Sequence, residues 1–170
     1  MLKRTLAPSG ILRVQSFNVD ARAPFSVEEL LGVPWPKETG AVASGRVDIT
    51  CVGPTDWLVV TTDLDVSSWL HHIDAAFQGT EFRATNVSQA FACIELDGSE
   101  VGDILAKGCA LDIHPSRLPP GRSARTRFAG MPMLLRRVRD LRFEFIVTLS
   151  YADYLMRWLE DAELEFKDAV

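Results

Sequence analysis

Between Leu105 and Gly121 the chain reads LAKGCALDIHPSRLPPG. Within eight residues it offers an amine (Lys107), a thiol (Cys109), a carboxylate (Asp112) and an imidazole (His114). A thiolate nucleophile, or an Asp–His pair serving a nucleophile, is chemistry that these side chains can perform. Their spacing argues for architecture instead. Val101, Ile104 and Leu105 form the apolar stripe of a short helix opened by Asp97-Gly98-Ser99-Glu100, with Asp97 or Ser99 as its N-cap. Lys107 then falls in the last turn, where a cation offsets the negative end of the helix dipole. Gly108 takes the left-handed position after the helix, and Cys109 packs back on it. A helix C-terminus disfavours a thiolate, so nothing here activates Cys109. Asp112 and His114 share a face of an extended segment, but a third partner for a triad is not visible. Pro115, Pro119 and Pro120 stiffen the loop before Gly121 turns it.

The other reactive residue types are scattered. Cys51 and Cys93 sit in the apolar runs VDITCV and AFACIEL, where cysteine behaves as a small hydrophobe. Three cysteines without short spacing indicate neither a disulfide framework nor a CxxC metal site. His71 and His72 project about 100° apart on a helix and cannot chelate one metal together. The phosphate-cradling pattern GxGxxG does not occur. The net charge of −5 excludes a general nucleic-acid binder. Charge is unevenly distributed, however. From Pro115 to Arg142 there are eight arginines, no lysine and one acid, Asp140, so this segment carries +7 and the remainder −12. Arginine suits bidentate pairing with carboxylates. Arg117, Arg122, Arg125 and Arg127 are the candidate partner contacts, unless strand-borne arginines only line a solvated sheet face.

The elements that must position these residues follow from periodicity. Of the 170 residues, 47% are apolar and 24% charged, an ordinary globular balance that can bury a core without disulfide or metal. RVDITCV (Arg46–Val52) alternates as a half-buried strand, Gly53-Pro54 turns, and Asp56–Thr62 returns as its hairpin partner. Val66, Trp69, Leu70, Ile73 and Phe77 stripe a helix over Asp65–Phe77. Residues Glu81–Leu96 form two strands with a bend at Ser88-Gln89, the second nearly continuous in apolar character and therefore interior. Strands follow at Ser123–Ala129, Met131–Arg139 and Leu141–Leu149, the last with Phe143, Phe145, Val147 and Leu149 on one face and Glu144 and Thr148 on the other. Ser150 caps a terminal helix whose inner stripe is Tyr154, Leu155, Trp158, Leu159 and Ala162, and whose acidic end, Glu160–Asp168, is solvated and frayed. The order β-α-β-β-α-β then β-α-β-β-β-α excludes a doubly wound parallel sheet. It predicts an α+β fold of two interlocked lobes, roughly 11–88 and 89–166 of one 1–170 domain, each a mainly antiparallel sheet with helices on one face.

No apolar run approaches the ~20 residues needed to span a bilayer. Lys3 and Arg4 have no apolar stretch behind them long enough for a signal peptide, so the chain reads as cytoplasmic.

Three segments together carry a family resemblance: VGPTDWLVV (Val52–Val60), TNVSQAFACIELDGSEVGDILAKGCALDIHP (Thr85–Pro115) and SYADYLMRWLEDA (Ser150–Ala162). From about Gly45 onward the chain resembles the gamma subunit of heterotetrameric sarcosine oxidase, a relative of the folate-binding domain of glycine-cleavage aminomethyltransferases. The resemblance implies an aminomethyltransferase-like fold and a non-catalytic, assembly role. It implies alpha, beta and delta partner subunits, with FAD, FMN, NAD and tetrahydrofolate held by those partners and none by this chain. In the complexes resembled, amine oxidation sends electrons through flavins to oxygen and passes the methyl carbon to tetrahydrofolate. The aminomethyltransferases carry a folate-engaging acid where this chain reads Phe128-Ala129-Gly130-Met131-Pro132-Met133, with no carboxylate. Folate chemistry needs an acid or base there, which methionine cannot supply. The alternative is a free-standing folate- or small-molecule-binding protein in which Asp112 or Glu144 compensates. An exposed apolar patch of roughly several hundred Å² would mark a missing partner.

Overall fold

The computed structural model describes residues 3–7, 10–63 and 65–167. The chain divides into two compact units, one ending at Gln89 and the other running from Ala90 onward together with the strand at residues 3–7. Each is an antiparallel five-stranded sheet with helices. The fold is α+β, and the sheets contain no parallel pair among the described residues.

In the first unit, β2 (Gly10–Ser16) runs into α1 (Phe25–Leu31). The short β3 (Val42–Ser44), β4 (Asp48–Gly53), β5 (Asp56–Thr61), α2 (Val66–Ala76) and β6 (Phe82–Asn86) follow. The sheet order is β3-β4-β5-β2-β6. β4 is not half-buried as its alternation suggests: Thr50 and Val52 are buried as well as Ile49 and Cys51. Alternation therefore separates two sheet faces without saying whether the polar one meets water. α2 begins where Asp65 accepts a hydrogen bond from the Ser68 amide at 3.1 Å, an ordinary side-chain cap. It gives way to Gly79 at a φ of 77°. The core joins the inward faces of β2, β4 and β5 to both helices around an aromatic knot. Trp35 packs 5.4 Å from Trp57 and Phe77 stacks 5.0 Å from Phe82, centroid to centroid. Across the sheet, Arg13 grips Asp56 bidentately at 2.8 Å through both guanidinium contacts. The hydrogen bonds to Asp56 push the Arg13 pKa still higher.

The second unit contains β1 (Lys3–Ala7), β7 (Phe91–Asp97), α3 (Val101–Gly108), β8 (Arg122–Phe128), β9 (Met131–Arg139), β10 (Arg142–Thr148) and α4 (Ala152–Lys167). Sheet order is β1-β7-β10-β9-β8. β7 is interior, as its apolar run requires, and its outer neighbour is β1, in register from Lys3↔Asp97 to Ala7↔Cys93. One face of this sheet presents Ile94, Leu96, Phe143, Phe145, Val147 and Leu135 to α3 and α4, whose Ile104, Leu105, Leu155 and Leu159 are fully buried on it. The β8–β9 hairpin turns on Ala129 (φ 48°) and Gly130 (φ 83°), both positive, as the tight two-residue hairpin turns demand.

Four local expectations are corrected. Neither Asp97 nor Ser99 caps α3; Glu100 occupies that position without a side-chain cap bond. Gly108 is not left-handed. It is the last residue of α3, and Cys109 is already extended (φ −124°, ψ 129°), donating its N–H to Leu105 O at 2.8 Å. Ser150 lies inside a 3-10 turn, Leu149–Tyr151, that precedes α4. The acidic end of α4 is helical to Lys167, and Glu163 is buried, so it is not frayed over that range; Asp168 lies outside the described residues.

Candidate functional site

The segment 105–121 is built into the second unit residue by residue. Lys107 does more than offset its own helix dipole. Its Nζ donates to Ala162 O at 2.9 Å, stands 2.5 Å from the Glu165 carboxylate and lies 4.7 Å above the Phe166 ring. One side chain thus ties the end of α3 to the end of α4. Gly108 is needed for space: a Cβ there would come within 2.8 Å of the Phe128 ring. Close approach lets the Ala129 N–H reach Gly108 O at 2.8 Å and lets Cys109 bridge Phe128 as a strand residue. Cys109 packs against the core, its Sγ 3.4 Å from Thr126 Oγ1.

Asp112 and His114 meet, but not as a catalytic pair. Asp112 Oδ1 accepts the backbone N–H of His114 at 2.9 Å, a local turn contact. The imidazole faces Ser116: Nδ1 lies 2.8 Å from Ser116 Oγ and accepts the Ser116 amide at 3.3 Å. Asp, His and Ser therefore sit in the loop without the carboxylate touching the ring, which a triad requires. All three are exposed.

The loop is held from beneath by a residue that sequence reasoning did not single out. Arg137, on β9 and 6% exposed, donates through Nη1 to Ile113 O (2.9 Å) and Leu118 O (3.1 Å), and through Nη2 to Asp140 O (2.7 Å). Its guanidinium carbon lies 5.1 Å from the Phe143 ring centroid. The fork of donors suits converging carbonyls, and the carbonyls in turn satisfy a nearly buried cation. An arginine in a strand gives no sequence signal of this role, because its acceptors are backbone atoms of a distant loop.

The arginine-rich segment is thus not one surface. Arg117, Arg125, Arg127 and Arg139 are exposed, Arg122 and Arg142 half-buried, and Arg136 and Arg137 buried. On the face opposite the helices, Glu95 and Glu144 stand directly across from each other in the β7–β10 register. Each like-charged neighbour has its own arginine: Arg142 on Glu95, and Arg136 Nη2 at 2.6 Å from Glu144 Oε2. Arg136 is 1% and Glu144 9% exposed. Their contact is an ion pair without hydrogen-bond alignment at Oε2. Asp112 and Glu144, the two carboxylates considered for folate, are therefore engaged separately, one by a backbone amide and the other by a buried arginine. No group of three or more His, Cys, Asp or Glu side chains among the described residues is placed to hold a metal ion.

The first unit holds a cleft of about 390 Å³, backed by Trp35 and Trp57 and edged by Val19, Phe25, Arg22 and Lys37. Its only sequence trace is a cluster of apolar residues in the non-periodic stretch before α1.

Residues 18–165 match the family model described as "Sarcosine oxidase, gamma subunit family". The sarcosine oxidase gamma subunit of Arthrobacter sp. is 28% identical over 139 residues, 80% of this chain and 67% of that one. The gamma subunit of Corynebacterium sp. (strain U-96) is 28% identical over 141 residues, 81% and 67% of the two chains. Among solved structures, heterotetrameric sarcosine oxidase from Corynebacterium sp. U-96 in complex with pyrrole 2-carboxylate superposes with a TM-score of 0.86. The identity is 22%, over 98% of this chain and 84% of the matched chain. Glycine cleavage system aminomethyltransferase T from Bartonella henselae shares the fold at a TM-score of 0.64 and 12% identity, over 93% of this chain and 44% of that one.

Proposed function

Because the chain belongs to the sarcosine oxidase gamma subunit family, we propose that it is the assembly and stabilising subunit of a flavin-dependent sarcosine oxidase-type complex. The match across residues 18–165 carries this reading. The geometry supports it. Lys107, Gly108, Cys109, Asp112 and His114, the residues with most chemical potential, hold a loop and two helix ends together. The hairpin at 128–133 presents Met131 and Met133, both buried, and no acid. In this reading the alpha, beta and delta subunits bind FAD, FMN, NAD and tetrahydrofolate and carry out the oxidative demethylation. The gamma chain acts as one 1–170 domain with lobes near 11–88 and 89–166 and has no turnover alone. No helix among the described residues is long and apolar enough to cross a membrane, and we assign the complex to the cytoplasm. The exposed Arg125 and Arg127, on one face of β8, with the exposed Arg117 and the half-buried Arg122, are assigned to contacts with an acidic face of a partner.

The test is a pull-down with the tagged chain from its own cells, followed by mass spectrometry and a visible absorption spectrum. Larger subunits carrying flavin absorption are expected. A colourless chain recovered alone would overturn the reading and turn attention to folate titration with Asp112→Ala and Glu144→Gln. Arg125→Glu and Arg127→Glu are expected to weaken assembly without unfolding the chain.

A further inference from the structure

The unit ending at Gln89 exposes a second kind of surface. The eight residues 17–24 between β2 and α1 form neither helix nor strand. Phe17 and Val19 in that stretch, and Phe25 just after it, are 79%, 68% and 69% exposed. Two phenylalanines and a valine this open within nine residues are unusual beside a floor of two tryptophans. Val19 and Phe25 edge the cleft of about 390 Å³ that Trp35 and Trp57 back. Phe17 lies outside its lining.

Charge around the cleft narrows the occupant. Glu28 is engaged, its Oε1 accepting the Trp35 amide at 2.8 Å. Arg22 and Lys37, both exposed, have no acid partner among the described residues. Asp20 is the remaining acid in the lining. Apolar anchors ringed by polar groups, with cations left to pair, describe the centre and rim of a protein interface. Resting on the gamma-subunit reading, we infer that this cleft docks a segment of a larger subunit that inserts an apolar side chain against Phe25 and Trp35. The same segment sets a carboxylate between Arg22 and Lys37. This contact supplies apolar burial where the arginines of the other unit supply charge.

The experiment replaces Phe25 with the photo-crosslinker p-benzoyl-phenylalanine in the full chain co-expressed with the alpha, beta and delta subunits. It also measures the affinity of Phe25→Asp and of Arg22→Glu with Lys37→Glu for those subunits by surface plasmon resonance. The expected crosslink falls on a larger subunit, at an apolar residue next to an Asp or Glu. Phe25→Asp is expected to weaken binding about 100-fold or more, and the charge reversal about 10-fold with a flatter salt dependence. Both keep the wild-type melting temperature, since the altered side chains are exposed. Wild-type affinity in both variants would overturn the inference while leaving the gamma-subunit reading intact. A crosslink to a second copy of this chain, or a crosslink abolished by a small aromatic carboxylate with assembly unaffected, would overturn it equally. A wild-type chain that joins no subunit would overturn the reading on which it rests.

Discussion

Gly108→Ala tests whether α3 ends in glycine for conformational or for steric reasons. Helix propensity alone predicts a gain of up to about 1 kcal/mol, since alanine is the better helix former and Gly108 is not at positive φ. Packing predicts the opposite. The added Cβ would sit 2.8 Å from two Phe128 ring carbons, closer than real Cβ contacts allow. That ring cannot swing away: Phe128 is fully buried, 5.0 Å from Phe145 and 4.7 Å from Trp158 between centroids. Overpacking of this kind costs about 1–3 kcal/mol. With the propensity gain subtracted, the net is a loss of up to about 2 kcal/mol, a fall in melting temperature of up to roughly 6 °C for a chain this size. Gly102→Ala is the internal control. It lies in the same helix, has nothing within 4 Å of its added Cβ, and is expected to gain about 0.5–1 kcal/mol. Circular-dichroism melts and urea titrations of both, with Phe128→Leu alone and combined with Gly108→Ala, complete the measurement. Phe128→Leu should cost less in the Gly108→Ala background, a coupling of about 1 kcal/mol. If Gly108→Ala stabilises as much as Gly102→Ala, the steric reasoning fails.

Two further predictions concern the buried arginines. Arg137→Leu removes three hydrogen bonds from carbonyls of the 113–121 loop and its neighbour turn. A loss of about 3 kcal/mol or more is expected, together with faster proteolysis between Asp112 and Pro120. Limited proteolysis read by mass spectrometry checks this, and a wild-type cleavage pattern would refute the clamp. Glu144→Gln leaves the Arg136 cation buried without its counter-charge and should cost about 3 kcal/mol. The double variant Arg136→Met with Glu144→Leu should return to wild-type stability or above it. Urea midpoints that fall further in the double variant than in Glu144→Gln would contradict the ion-pair account.

Most of the fold from Gly45 onward was legible because its segments carry strong periodicity. The Val66–Phe77 stripe buries one face and forms the helix its period requires, and the Phe143–Val147 run forms its strand with both faces buried. Residues 3–7 were not placed, because five residues carry too little pattern to declare a strand; β1 exists because β7 offers it an edge. The cap positions at Glu100 and Leu149–Tyr151 differ from the expected ones by one to three residues, since a 3-10 turn and a bare N-cap leave no side-chain signature. At the candidate sites the residue types were visible and their partners were not. Asp112 and His114 make contacts within their own loop, whereas Arg137, the residue that holds that loop, has the sequence signature of any surface arginine. The cleft at Trp35 and Trp57 was invisible because its walls come from residues up to 38 apart in sequence.

The amino-acid sequence by itself determined the α+β class, the family resemblance, the interior place of β7 and the architectural nature of the 105–121 stretch. These follow from local period, turn chemistry and residue type, which act over a few residues. Only the tertiary structure decided which arginines meet water and which are buried on carbonyls or on Glu144. It also decided that Gly108 serves Phe128 rather than a left-handed turn, and that Phe17, Val19 and Phe25 lie open beside an aromatic cleft. Each of those outcomes depends on atoms brought together from distant parts of the chain. Burial, ion pairing and steric contact are properties of that convergence, so no local pattern encodes them.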